Sequence, residues 1–190
     1  VDTGGWYKIC CPTSQLWKPD VLGAIYRVRK QGARTPNDPR GFKLQWSKLK
    51  PAELARLLGD ERVFVQRRAI HELGRKGSAA VTVLNDAVWK GRTVLTRRNA
   101  VWALARIDSA AAREAVRTAL NDEDLSVTHA ALNVVSLWRD QAAVGRLQSL
   151  VAGSDPQLAR PAAEALGRIG KPSAVPALLA ALGDRSARVR

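Results

Sequence analysis

The sequence predicts a mainly α-helical protein, an α-α solenoid in which pairs of antiparallel helices stack along one direction. An apolar pattern recurs every 31 residues from about residue 50 to the last residue, without insertion or deletion. Within it, Val65, Ala69 and Leu73 lie at i, i+4 and i+8, which places them on one stripe of a helix. Ala100 and Leu104 repeat that stripe one period later. A fixed period of about 20 to 50 residues is typical of stacked repeats.

From Pro51 onward each repeat is predicted to contain two helices, called A and B. The predicted A and B ranges are 51–59 and 63–76, 78–90 and 94–107, 109–120 and 124–138, 141–152 and 156–169, with a fifth A helix over 173–182. Pro51 suits the first turn of a helix, where its missing N–H is not needed. Asp60, Asp122, Asp155 and Asp184 precede B helices, and we predict that they cap free N–H groups there. The solenoid is expected to cover residues 51–190, as four repeats and a truncated fifth.

The end of the sequence carries a recognisable repeat pattern. Residues 162–170 read AAEALGRIG and residues 172–179 read PSAVPALL. This stretch resembles HEAT repeats of the short, lyase-associated type. The resemblance implies that the B helices line the inner surface of the solenoid.

The first 50 residues follow no 31-residue pattern. Residues 23–29 alternate well enough to predict a β-strand, which needs further strands from outside this sequence to form a sheet. Residues 31–50 are a polar, Gly- and Pro-containing linker. Its last part carries Leu44, Trp46 and Leu49, which we expect to cap the exposed end of the first repeat.

Residues 1–30 resemble a particular domain junction. The segments VDTGGWYKICCPTSQL at 1–16 and KPDVLGAIYRV at 18–28 are similar to the end of the propeller domain in bacterial membrane-bound dehydrogenases. That family resembles quinoprotein glucose and sorbosone dehydrogenases, with HEAT-like repeats after the propeller. The resemblance implies that residues 1–30 are a remnant of the last propeller blade, and that the parent is periplasmic or membrane-associated. It also implies a quinone cofactor and a c-type haem in the parent, with none held in this part.

The composition favours acidic partners. The chain has a net charge of +14, and residues 62–117 contain 12 basic and 4 acidic side chains. Such an excess attracts nucleic acid, anionic lipid or an acidic protein face, although arginines on a solvated helix face give the same composition. No methionine occurs, even at position 1, so we expect this sequence to be part of a longer protein.

The predicted interaction surface lies on the first two B helices. Its members are basic or aromatic residues at outward positions: Arg67, Arg68, His71, Arg75, Arg97, Arg98, Trp102 and Arg106. Trp102 takes the position that His71 holds one repeat earlier, so it is either exposed beside the arginines or packed between neighbouring B helices. Trp89 and Trp138 are assigned to core or ridge packing.

We find no catalytic, cofactor-binding or metal-binding set in the sequence. Cys10 and Cys11 are adjacent, without the spacer of a metal or haem motif, and we expect them to be buried under a loop. His71 and His129 have no second ligand at a suitable spacing. The favoured function is an interaction arm that binds a protein partner or an adjacent domain of a sugar or alcohol dehydrogenase, itself without a complete active site. The alternative is a free-standing basic solenoid that binds nucleic acid.

Overall fold

The computed structural model describes residues 22–26, 28, 30–32 and 36–183. The chain divides into two compact units, Val1–Thr35 and Pro36–Arg190. This division falls inside the segment 31–50 that the sequence assigns to a linker. Cys10 and Cys11, and most of the predicted blade remnant, lie outside the described residues.

The described part of the first unit does not form the strand predicted over residues 23–29. Ala24 occupies an isolated β-bridge, and no continuous strand surrounds it among the described residues. The side chains of Leu22, Ile25, Tyr26 and Val28 are between 70% and 96% exposed. A strand is stable in water only when one face packs against other elements, and these four described residues are exposed.

The second unit is helical and follows the predicted repeat boundaries. Nine α-helices are described between residues 36 and 183: α1 Pro51–Arg56, α2 Val63–Lys76, α3 Val81–Lys90, α4 Val94–Leu104, α5 Ala110–Thr118, α6 Leu125–Leu137, α7 Val144–Val151, α8 Pro156–Ile169 and α9 Val175–Leu182. The odd-numbered helices are the A helices and the even-numbered ones are the B helices. The predicted α-α solenoid is therefore confirmed.

Each A helix is extended by a short 3₁₀ segment that the sequence pattern did not distinguish from α-helix. In the first and third repeats it follows the A helix, at Leu57–Gly59 and Ala119–Asn121. In the second, fourth and fifth it precedes the A helix, at Gly77–Ala80, Gln141–Ala143 and Pro172–Ala174. Such tighter turns are frequent at helix ends, so the A helices are shorter in α-helical length than the B helices.

The core runs through the stack along the predicted stripe. Val65, Ala69 and Leu73 of α2 are fully buried, as are Ala100 and Leu104 of α4. The B helices pack in the order α2, α4, α6 and α8, and A helices pack on A helices, as α1 does on α3. Alanine at the second stripe position removes bulk between neighbouring helices, so adjacent repeats approach closely.

The segment before α1 packs on the first repeat. Trp46 is buried, and Leu44 and Leu49 pack against the same core. The indole Nε1 of Trp46 donates a hydrogen bond to the carbonyl oxygen of Gly41 at 2.7 Å. Gly41 has a φ of 67°, and a Cβ there would stand 2.8 Å from Cγ2 of Val65. Glycine is therefore needed at this position for both conformation and space.

The predicted aspartate caps belong to two different positions of the repeat. Asp155 is the N-cap of α8 and accepts a hydrogen bond from the Gln157 N–H at 2.8 Å, as predicted. Asp60 and Asp122 are not N-caps, because each accepts instead from the N–H two residues later in the turn before the helix. Asp124 caps α6. Asp184 lies outside the described residues.

Trp89 does not pack in the core. Its side chain is 62% exposed, whereas Val88 beside it is buried. Leu58 and Leu120, one repeat before and after Trp89, are buried. The assignment of Trp89 to core or ridge packing is thus corrected: in this repeat α3 turns Val88 towards the core.

No helix in the described ranges is long and apolar enough to cross a membrane.

Candidate interaction surface

The outward side of the B helices presents three rows of side chains that repeat every 31 residues. Residues at i, i+4 and i+8 of each repeat's B-helix segment contribute one member to each row, and all are exposed or half-buried. All members lie on the B helices except Arg106, which follows the end of α4. The first row is Arg67, Arg98, His129 and Arg160. The central row is His71, Trp102, Asn133 and Glu164. The second row is Arg75, Arg106, Leu137 and Arg168. All six arginines of these rows therefore lie in the first and second rows, on both sides of a mixed central row.

The rows enclose a groove between the first two B helices. A cavity of about 440 Å³ is lined by Arg67 and Ile70 of α2 and by Trp102, Ala105 and Arg106 of the second repeat. Trp102 is half-buried and packs against the core while it forms part of this groove. Both interpretations of Trp102 are therefore realised by one side chain: it packs between the B helices, and part of it faces the groove.

The close approach of the two repeats at this groove depends on a glycine. A Cβ built on Gly74 of α2 would lie 2.8 Å from Cβ of Arg106 and 3.0 Å from its Cδ. The aliphatic stem of Arg106 therefore lies directly over Gly74. Long arginine side chains cover apolar surface with their stems while the charged group stays in water.

Arg68 and Arg75 share a carboxylate. Glu72 lies 4.0 Å from Nε of Arg68 and 3.3 Å from Nη1 of Arg75. The guanidinium of Arg68 also stands 4.7 Å from the ring centre of Trp46, in a cation–π arrangement. By contrast, Arg67, Arg98 and Arg106 have no carboxylate within ion-pair distance among the described residues. These three arginines carry the uncompensated charge of the predicted surface.

Arg97 is engaged inside the fold. Its Nε and Nη2 donate to the two carboxylate oxygens of Asp122 at 2.7 and 3.0 Å. The side chains of the pair are 12% and 8% exposed. Hydrogen bonding to Asp122 raises the pKa of Arg97 above its usual value. Arg97 therefore connects the second repeat to the third and does not offer its charge to a partner.

The position of Arg97 has the same structural use in three repeats. Gln66 donates to the carbonyl oxygen of Asp60 at 2.5 Å, and Thr128 donates to that of Asp122 at 3.0 Å. Arg97 donates to the carbonyl oxygen of Gly91 at 3.4 Å. The three acceptors are themselves one period apart, so this B-helix position closes the preceding A–B turn whatever its residue type.

Two members of the first row, His129 and Arg160, were not included in the surface predicted from sequence. They line a second cavity of about 460 Å³ with Glu164 and the first turns of α8. Arg160 is paired with Glu164 at 3.2 Å. The signal for both residues was present in the sequence, because they stand one and two periods after Arg98.

Nothing in the described residues forms a metal site, since no group of three or more His, Cys, Asp or Glu side chains comes together there. The surface formed by the three rows is basic and partly aromatic. It provides guanidinium groups for charge-assisted hydrogen bonds and an indole for stacking or apolar contact.

Comparison with known families identifies the repeats. The family model for HEAT repeats matches residues 144–190, and the model for the PBS lyase HEAT-like repeat matches residues 96–122. The chain contains HEAT-like repeats. The second match covers most of α4 and all of α5, which places the groove around Trp102 partly within a matched repeat. No curated protein matches the chain as a relative.

Solved structures with the same fold support this result. Human deoxyhypusine hydroxylase, in complex with glycerol, is 23% identical with a TM-score of 0.54, over 72% of this chain and 57% of that one. The YibA protein of Escherichia coli is 20% identical with a TM-score of 0.55, over 83% and 61% of the two chains. The CpcE–CpcF complex of phycocyanin lyase from a Nostoc species is 25% identical with a TM-score of 0.55, over 87% of this chain and 65% of that one. This chain thus spans less than two thirds of each of them, and the likeness concerns the fold.

Proposed function

We propose that this chain is an interaction scaffold whose B-helix face binds an acidic surface of a protein partner or of an adjacent domain. The observation that carries the proposal is the groove in which Arg67 and Arg106 flank the half-buried Trp102. An aromatic anchor beside arginines is the composition typical of binding hot spots. HEAT-repeat solenoids usually mediate protein interactions, and the phycocyanin lyase structure is itself a complex of two proteins.

The proposal is tested by charge reversal on this face. We expect the chain to bind fluorescently labelled polyglutamate, and the double variant Arg67→Glu, Arg106→Glu to bind it at least about tenfold more weakly. The matched control, Arg92→Glu with Lys171→Glu, makes the same change in net charge at exposed residues away from the groove. Equal losses in both double variants would show that only net charge matters, and would contradict a defined docking face.

Nucleic-acid binding is the second candidate, favoured by the net charge of +14 and by the indole of Trp102 beside arginines. Duplex DNA of about 20 base pairs, titrated at 50 and 200 mM NaCl, separates it from the first. Phosphate contacts give a steep loss of affinity between these concentrations, of about 10³-fold or more for six or more contacts. DNA binding that is tighter than polyglutamate binding and shows this slope would replace the protein-partner proposal.

The identity of the parent protein is a further part of the proposal. It is supported by the resemblance of residues 1–30 to the propeller junction of membrane-bound dehydrogenases. The parent would then be a periplasmic or membrane-associated sugar or alcohol dehydrogenase that holds a quinone cofactor and a c-type haem outside this chain. The flanking gene sequence tests it: propeller repeats upstream support the proposal, and a short reading frame that starts at the linker overturns it.

A further inference from the structure

The three rows of the B-helix face have the dimensions of a track for one helix. We propose that this track binds an acidic amphipathic α-helix of the partner, laid across the B helices above the central row. The inference rests on the proposed function, since it specifies the shape and the charge spacing of the partner that the scaffold would bind.

The width between the first and second rows fits a helix. The two rows stand eight residues apart in every repeat, and both members lie on the helix in α2, α6 and α8, as Arg67 and Arg75 do on α2. In the second repeat Arg106 lies two residues after the end of α4. Eight residues correspond to about 12 Å along a helix axis, and a helix with its side chains is about 10–12 Å wide. A helix above the central row would thus have a basic row along each flank. Its apolar side would face Trp102 and the groove beside it.

The spacing along the track also favours a helix over an extended peptide. Packed helices lie about 8–10 Å apart, and α2, α4, α6 and α8 pack in sequence. Carboxylates seven residues apart on a helix share one face and are about 10.5 Å apart. In an extended chain, side chains on one face are about 6.6 Å or about 13 Å apart, and neither distance matches the rows.

Within the described part of the chain, the arginines that have no carboxylate partner are concentrated in the first two repeats of the track. Arg67, Arg98 and Arg106 have no carboxylate partner among the described residues there, whereas Arg160 at the far end is paired with Glu164. At α6 the second row carries Leu137, which is 64% exposed. We therefore expect the partner helix to have two carboxylates on each flank at one end, and an apolar residue where it passes Leu137.

The experiment uses three synthetic helical peptides of equal length, composition and net charge. One has glutamates seven residues apart on both flanks of a leucine stripe, one has them five residues apart, and one is scrambled. Helical content is matched by circular dichroism, and the affinity for the full chain is measured by fluorescence anisotropy. We expect the seven-residue peptide to bind at least about tenfold more tightly than the other two.

Variants connect that preference to the rows. Arg67→Ala with Arg98→Ala should remove most of the advantage of the seven-residue peptide, and Arg92→Ala with Lys171→Ala should leave it within about twofold. Equal binding of all three peptides would overturn the helical track and leave the scaffold proposal standing. Failure of every peptide and of polyglutamate to bind would overturn both.

Discussion

The ion pair between Arg97 and Asp122 tests which arginines of this basic chain belong to the fold. We consider Arg97→Ala, Asp122→Ala and the double variant. The guanidinium donates two hydrogen bonds to the carboxylate, at 2.7 and 3.0 Å, and both side chains are largely buried. In the Arg97→Ala variant Asp122 would keep the N–H of Asp124 as a donor at 2.9 Å but would lose its countercharge.

The expected cost follows from this geometry. A hydrogen bond to a charged group contributes about 1.5–3 kcal/mol, and breaking a fully buried pair costs about 3–5 kcal/mol. Because this pair keeps some solvent contact, we expect about 2–3 kcal/mol for either single variant and a coupling free energy of about 1.5 kcal/mol. For a chain of this size the melting temperature should fall by about 4–12 °C.

Urea unfolding followed by far-UV circular dichroism measures these values. Glu123 provides the matched control, since it lies 3.5 Å from the same guanidinium but its side chain is 88% exposed. Glu123→Ala should therefore cost less than about 0.5 kcal/mol. The reasoning would be refuted by a coupling free energy below about 0.5 kcal/mol, or by a cost of Glu123→Ala equal to that of Asp122→Ala.

Two further predictions concern packing and pH. Gly74→Ala should destabilise the fold by about 1–3 kcal/mol because its Cβ would meet Arg106. Gly167 has the same repeat position, and a Cβ there would have no atom within 4 Å, so Gly167→Ala should stabilise the fold by about 0.4–1 kcal/mol. The urea denaturation midpoints of the two variants measure both effects. Hydrogen bonding to the Arg62 side chain lowers the pKa of Asp60 below its usual 3.8. The folded state thus binds this proton less readily than the unfolded state, and the stability that this contributes above about pH 4 is lost as the pH falls further. The free energy of unfolding of the Asp60→Asn variant should therefore fall less between pH 5 and pH 2.5, as measured by urea unfolding at each pH.

The solenoid could be predicted from the sequence because each core position of a repeat protein occurs once in every repeat. Ala69, Ala100, Ala131 and Ala162 each occupy the same buried site between neighbouring B helices. An apolar residue that occurs by chance at one position would not recur at the three equivalent positions, so the four together identify a core site. The exposed Trp89 shows the limit of that reading, because periodicity places a side chain on a face but does not determine which of two adjacent apolar residues turns inward.

Cap positions were partly missed for a related reason. Asp60 and Asp122 are 62 residues apart, two full periods, whereas Asp155 is offset from them by two residues. The two sets therefore differ in their position within the 31-residue period. Their residue type does not show the difference, because an aspartate accepts a hydrogen bond from an N–H equally well in a turn and at a helix start. The structure distinguishes them through the residue whose N–H each carboxylate receives.

The candidate surface shows why net charge alone overstates a binding face. Arg97 and Arg98 are adjacent residues of the same type on the same helix, yet Arg97 is bound to Asp122 while Arg98 has no carboxylate partner among the described residues. Their repeat positions predict the difference, because the position of Arg97 closes a turn through Gln66 and Thr128 in neighbouring repeats. The position of Arg98 instead lies in the outward first row. A basic residue in this solenoid thus serves the fold or the surface according to its place in the 31-residue period.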